Sequence, residues 1–388
     1  MKASVRLGRL FGIPIGANWS ALLVLALIAL IIADSVLPAA APGHARALYW
    51  ATGVAAALAF LACLMAHELA HSVLARRHGV RVKSITLWML GGFSELEDQP
   101  PDPRADLVIA AAGPVVSAAA GLLLGGGYLL RGGPGGALLG EALGASPLLT
   151  RSLLWLATMN GVLAVFNLLP GAPLDGGRVL RALLWRHHHD RSRAELAAVR
   201  AGRTLGLAFV GLGLLEMTFF SLSNGIWTVL IGWFLTSSAS AEGTAHLVRG
   251  ALSGATVADV MHQAPACAQA WHTLQMCAEQ TVADSDQDVF PVVELAGDPV
   301  GVITADQIIA VPSKRRGGLR VRAVMTPLPP HHVLASDAPA VNLTGLRPIG
   351  KLVAVVAEDG HVTGMITTDD LQHLLRRTML LHSPSSAS

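Results

Sequence analysis

The chain has 388 residues and a net charge of +2; 52% of its residues are hydrophobic, only 14% are charged, and the mean hydropathy is +0.53. Soluble domains carry roughly 25% charged residues, so this composition excludes an ordinary soluble globular chain and places much of the sequence in lipid. The small net charge gives no reason to expect nucleic acid as a partner, and three cysteines (Cys63, Cys267 and Cys277) without a C-x-x-C pair exclude a disulfide framework.

Lys2, Arg6 and Arg9 precede a long apolar run. It exceeds a signal-peptide core, and no small-x-small cleavage site follows, so it reads as a retained first span. A bilayer core of ~30 Å needs ~20 apolar residues in a helix. On that criterion spans are expected over 18–37, 48–75, 107–130, 152–169, 204–220 and, shorter, 226–236, the last two joined by a tight turn over 221–225. Basic residues orient them by the positive-inside rule. Lys2, Arg6 and Arg9 precede span one, Arg76, Arg77, Arg81 and Lys83 follow span two, and Arg178, Arg181, Arg186, Arg191 and Arg193 follow span four. The opposite loops hold little beyond Arg46, Arg131 and Arg151, so both termini are expected in the cytoplasm.

Residues 82–98 alternate around Gly91 and Gly92, which predicts a hairpin of two short strands. Ile85, Leu87, Trp88, Met89, Leu90 and Phe93 are too apolar for a solvated loop, so the hairpin is expected to dip into the membrane face. Irregular backbone at that depth is tolerated only beside protein or a water-filled cavity.

The strongest chemical signal is HELAH, residues 67–71, inside the second span. His67 and His71, at i and i+4, share one helix face and can grip one metal ion, while Glu68 stands ready to take a proton from water. Charged groups in the membrane centre cost roughly 2.5–3.5 kcal/mol unless partnered, and are functional by default. Catalytic zinc takes three protein ligands and keeps one position open. The third candidate is Asp175 in NLLPGAPLDGGR, residues 167–178, where prolines and glycines end span four and leave irregular backbone. The alternative for Asp175 is an N-cap of a helix over 176–185. Cys63, one turn before His67, reads as a small apolar residue, and His187, His188 and His189 read as a solvated surface patch.

From about residue 255 the sequence changes to soluble α/β, with a repeat. VADVM (257–261) recurs as VRAVM (321–325) at an offset of 64, and FPVV (290–293) and GVIT (301–304) recur as VAVV (353–356) and GMIT (364–367) at an offset of 63. Repeats of this length pack on one another.

HELAH on span two, AGP at 112–114 and NLLPGAPLDGGR after span four together resemble the site-2 protease family of intramembrane zinc metalloproteases; the resemblance covers about residues 7–189, including LGRLFGIP at 7–14. The C-terminal repeats are similar to CBS domains. The resemblance implies a mostly α, polytopic membrane helical bundle of about six spans with a small membrane-associated β-hairpin, followed by a cytoplasmic α/β tandem CBS domain. The expected limits are 1–245 for the protease domain, 246–254 for a linker, 255–315 and 316–381 for the repeats, and 382–388 for a disordered tail. It implies one Zn2+ per chain on His67, His71 and Asp175, with Glu68 as general base and acid. It also implies that Asn167 orients substrate or its oxyanion, and that 87–93 receives an unwound substrate strand. Zinc would lie about 10 residues before the basic run at Arg76, or ~15 Å into the membrane from the cytoplasmic side.

In CBS repeats a Thr and an Asp three residues on contact nucleotide. Thr367 and Asp370 fit that pattern, whereas the first repeat pairs Thr304 with Gln307, so at best one adenine-nucleotide site is expected. A transmembrane protein substrate, membrane lipid and a homodimer through the repeats are the expected partners. The rival readings are a CBS-gated transporter and an inactive protease homologue. A transporter would favour an internal repeat in the membrane half, and none is visible; Glu68 is intact.

Overall fold

The computed structural model describes residues 4–88, 91–96, 99–131 and 146–382. Two compact units divide between Gly243 and Thr244.

The first unit is a helical bundle with a small sheet. Among the described residues, five helices are long and apolar enough to cross a membrane: α1 Trp19–Ala40, α2 Arg46–Arg77, α3 Pro103–Leu130, α4 Pro147–Asn167 and, beyond the shorter α5 Asp175–His188, α6 Arg191–Phe219. The sixth expected stretch lies within α7 Leu222–Leu252. Leu122, Leu123, Val115 and Phe219 stand more than half exposed on these helices. Apolar area of that extent belongs against lipid rather than water. Two expectations are corrected in this region. The α6–α7 connection is confined to Phe220 and Ser221 instead of running over 221–225, because the second helix already begins at Leu222. The expected linker 246–254 is helical as far as Leu252.

The predicted hairpin is half of a larger sheet. β1 Val5–Leu10 and β2 Ile13–Ala17 form an N-terminal hairpin, and β2 runs parallel to β3 Val82–Trp88, which pairs antiparallel with β4 Gly91–Leu96. The order is β1-β2-β3-β4, with Ile13, Ile15, Ile85 and Leu87 buried. Gly91 and Gly92 do not form the turn; they open β4 opposite Trp88 and Leu87, and the tip at 89–90 lies outside the described residues. Of the expected tail over 382–388, His382 ends a helix, and 383–388 lie outside the described residues as well.

The second unit holds two four-stranded sheets. One is formed by Ala268–Gln269, Val289–Val293, Pro299–Thr304 and Thr326–Pro327, the other by Val333–Leu334, Leu352–Glu358, His361–Thr367 and His262–Gln263. The short strand after each V-x-x-V-M block therefore completes the sheet of the other repeat. The repeated glycines explain how. A Cβ on Gly301 would stand 2.5 Å from Met325 Sδ, and one on Gly364 would stand 2.4 Å from Met261 Sδ. Each methionine lies across a glycine of the opposite repeat.

Gly301→Val is therefore expected to overpack this contact and lower the stability of the repeats by about 1–3 kcal/mol. Adding Met325→Ala should recover part of the loss. Thermal unfolding of the purified chain checks both, and an unaltered midpoint in the single variant would count against the packing.

Candidate metal centre

Helix α2 carries His67 and His71 one turn apart, with both rings buried. Asp175 opens α5 as its first residue, after the Pro- and Gly-rich segment that stops α4. Leu174 is the N-cap, so Asp175 does not cap the helix. Its carboxylate reaches the histidines instead: Oδ2 lies 3.2 Å from His67 Nε2 and 3.1 Å from His71 Nε2, and the two Nε2 atoms lie 3.2 Å apart. These three residues form the sole cluster of metal-ligand type among the described residues. Cys63 is not part of it, and His187, His188 and His189 are exposed on the surface, as expected.

The outer ring atoms show which faces carry lone pairs. His71 Nδ1 donates to the Ile109 carbonyl oxygen at 2.7 Å, which fixes its proton there and leaves Nε2 an acceptor in the neutral ring. His67 Nδ1 meets Ser117 Oγ at 2.9 Å. Two imidazole Nε2 atoms and a carboxylate oxygen thus converge at a largely buried point, an arrangement that repels itself unless a cation or protons lie between them. Ligands ~2.0–2.1 Å from a tetrahedral metal stand ~3.3 Å apart, so the spacing of the three atoms and their N/N/O chemistry fit zinc. Hydrogen-bond partners of this kind on the far ring nitrogen, here one backbone carbonyl and one hydroxyl, are how metal-binding histidines are held in orientation.

Helix α3 supplies the floor. A Cβ on Gly113 would fall 2.2 Å from His71 Nε2 and 2.5 Å from His67 Nε2, so only a glycine admits the two rings here. Asp106, Ile109, Gly113 and Ser117 follow each other at helical spacing along one stripe of α3. The far end of the stripe, Asp106, is fully buried and takes both oxygens of its carboxylate to Arg181 of α5, from Nε at 2.9 Å and Nη2 at 2.8 Å.

Glu68 is half-buried beside the ligand pair, and the sheet comes directly onto it: a Cβ on Gly92 would lie 2.2 Å from Glu68 Cγ. Strand β4 is the sheet edge at this point, paired on one side with β3. Asn167, at the end of α4, is half-buried and donates through Nδ2 to the Leu163 carbonyl oxygen at 3.0 Å. That is its sole polar contact among the described residues, and it does not reach the ligand cluster.

The C-terminal site residues have a structural job already. Thr367 N and Oγ1 both donate to Asp370 Oδ2, at 2.8 and 2.7 Å, and Asp370 N donates back to Thr367 Oγ1. Thr304 and Gln307 make the same capping box in the first repeat. Thr367 and Asp370 also line a cleft of about 190 Å³ with Asp286, Asp288, Asp369 and Lys351. The Asp288 carboxylate, 2.5 Å from Lys351 Nζ, holds that ammonium above its ordinary pKa.

Three of these features escaped sequence reading: the role of Ser117, the pairing of Asp106 with Arg181, and the contact of Gly92 with Glu68. A largely apolar helix carrying one acid near its start and one serine at matching helical phase was the available signal. Gly113→Ala is the sharpest test of the floor. The added methyl should displace both rings and abolish stoichiometric zinc binding, measured by elemental analysis of purified protein; full occupancy in that variant would contradict the geometry.

Residues 55–133 and 132–209 match the profile described as "Peptidase family M50". Rip3 of Mycobacterium tuberculosis is 36% identical over 382 residues, covering 97% of this chain and 93% of that protein. The Synechocystis protein sll0528 is 31% identical over 316 residues, covering 81% of this chain and 79% of its own. Among solved structures, the site-2 protease from Methanocaldococcus jannaschii is 28% identical with a TM-score of 0.40, covering 62% of this chain and 94% of that one. The chain belongs to peptidase family M50, the site-2 protease family of multi-pass membrane zinc metalloproteases.

Proposed function

We propose that the chain is a zinc-dependent intramembrane endopeptidase that cuts transmembrane segments of other membrane proteins. The observation that carries this is the convergence of His67 Nε2, His71 Nε2 and Asp175 Oδ2 within 3.2 Å of one another. These three atoms would hold the ion. Zinc bound there supplies Lewis acidity, bringing the pKa of water to ~7 and polarising a carbonyl.

The chain's own residues do the rest. Glu68 takes the proton of the attacking water on its carboxylate and delivers it to the amide nitrogen that leaves, one group serving as base and then acid. A peptide bond inside a helix has its amide paired and its carbonyl shielded, so the substrate must first unwind. Unpaired amides in lipid cost several kcal/mol each. The free edge of β4 removes that penalty by pairing with an extended substrate segment, and Gly92 lets that edge lie directly against Glu68. Asn167 has its Oδ1 and a second Nδ2 hydrogen uncommitted among the described residues, and is assigned to orient the substrate backbone. The loop charges favour cytoplasmic termini and a cytoplasmic C-terminal unit, from which the CBS-like repeats would regulate cleavage.

Co-expression with a panel of tagged single-span membrane proteins tests the reaction. Cleavage within the span should occur with the wild type and vanish with Glu68→Gln, while zinc content stays full in Glu68→Gln and is lost in His71→Ala. Membrane-embedded cleavage that never depends on Glu68 would end the protease reading.

For the repeats, the cleft at Thr367 and Asp370 is the proposed adenine-nucleotide site. It presents four carboxylates and one ammonium, so phosphates entering it need counter-ions. Thermal shift of the purified chain should respond to ATP with Mg2+ and not to ATP alone; no response to millimolar ATP or AMP under either condition removes the nucleotide.

A further inference from the structure

We propose that Asp106 and Arg181 are positioning residues for the metal centre: a buried clamp that sets the register of α5 against α3 and so holds Asp175 on the histidine pair. This rests on the zinc reading above and adds to it the device that fixes the third ligand.

The geometry is specific. Arg181 grips Asp106 with two parallel hydrogen bonds, a fork that fixes orientation as well as distance. Asp106 is fully buried and Arg181 is 8% exposed. Arg178 Nη2 stands 3.8 Å from the same carboxylate, while Glu195 and Glu242 act on Arg181 electrostatically. Asp175, Arg178 and Arg181 are spaced by three along α5, so the helix that begins with a ligand is held through its next two turns. The other partner, Asp106, lies on the stripe of α3 that also provides the Ile109 carbonyl, Gly113 and Ser117 to the two histidines. One helix thereby references both halves of the centre. α5 packs on α3 and reaches the centre through Asp175, and the clamp gives that packing a fixed direction. A buried ion pair is weak evidence of stability in itself; what the fork adds is geometric specificity.

The test separates holding a helix from merely neutralising a buried charge. In Asp106→Leu/Arg181→Met both charges go and apolar volume replaces them, a change buried pairs commonly tolerate in folding. We expect this variant to keep its helix content by circular dichroism but to bind zinc roughly 10–100-fold more weakly in competition with a chromophoric chelator. Zinc affinity indistinguishable from wild type would overturn the clamp. Should the double variant not fold, Arg181→Lys decides: it keeps the charge and loses the fork, so weakened zinc binding supports the proposal and unchanged binding overturns it. If the wild type itself takes up no zinc, the parent reading fails, and the clamp is judged by spin labels at the exposed positions Arg77→Cys and Arg186→Cys in a chain cleared of Cys63, Cys267 and Cys277. Their distance distribution should broaden when the pair is removed; no broadening rejects it.

Discussion

Three atoms that carry lone pairs are held within 3.2 Å of each other inside a membrane bundle, and the surrounding architecture follows from having to do this. In a medium of low dielectric such crowding is unfavourable until a cation enters, so the fold must enforce it in advance. It does so through helix α3, whose four stripe residues each solve one part of the problem. Ser117 and the Ile109 carbonyl turn the rings, Gly113 gives them room, and Asp106 fixes the helix that brings the carboxylate. None of these side chains is itself a ligand.

The sheet is the second consequence. On the proposed function, hydrolysis in lipid needs a place where extended backbone is tolerated, and β4 offers an edge at the level of Glu68. Holding that edge needs more than one hairpin, since an isolated pair of strands is marginal by itself. The N-terminal strands supply the remainder, with β2 parallel to β3 and Ile13, Ile15, Ile85 and Leu87 buried together. Arg76, at the end of the helix that carries the histidines, bonds the Phe11 carbonyl oxygen and joins the sheet to that helix.

What could be read from the sequence was whatever a local rule expresses. Span lengths follow from bilayer thickness, the ligand pair from an i, i+4 spacing, and the unusual Asp175 from prolines and glycines that break a helix. Long-range pairings were not legible. The strands at 5–17 lie some 65 residues before their partner β3, and their short alternation was overshadowed by the apolar run that follows. Phe11 and Gly12 at positive φ mark the turn, but a Phe in that conformation is no sequence signal. Asp106 and Arg181 are 75 positions apart, and nothing local ties an acid at a helix start to an arginine two turns into another helix. Gly91 and Gly92 misled for a physical reason: glycine is as useful for close approach as for turning, and here Gly92 serves approach.

The repeats carry the same distinction further. Their three matching blocks were visible as text, but the reason for the match is a contact between copies. Each glycine of a G-x-I-T strand accommodates the methionine of the opposite V-x-x-V-M block, and the strand after that methionine joins the opposite sheet. A boundary drawn at 315/316 therefore separates sequence units and not folding units. Neither sheet is complete without a strand from the other repeat. The core around Val353 and Ile366 also includes Val257, Val260 and, from the end of α7, Leu252. Residues that look like a linker by composition are thus packed against the second repeat, while the first block of the first repeat lies in the same core. A change in either repeat therefore reaches a sheet that both repeats build.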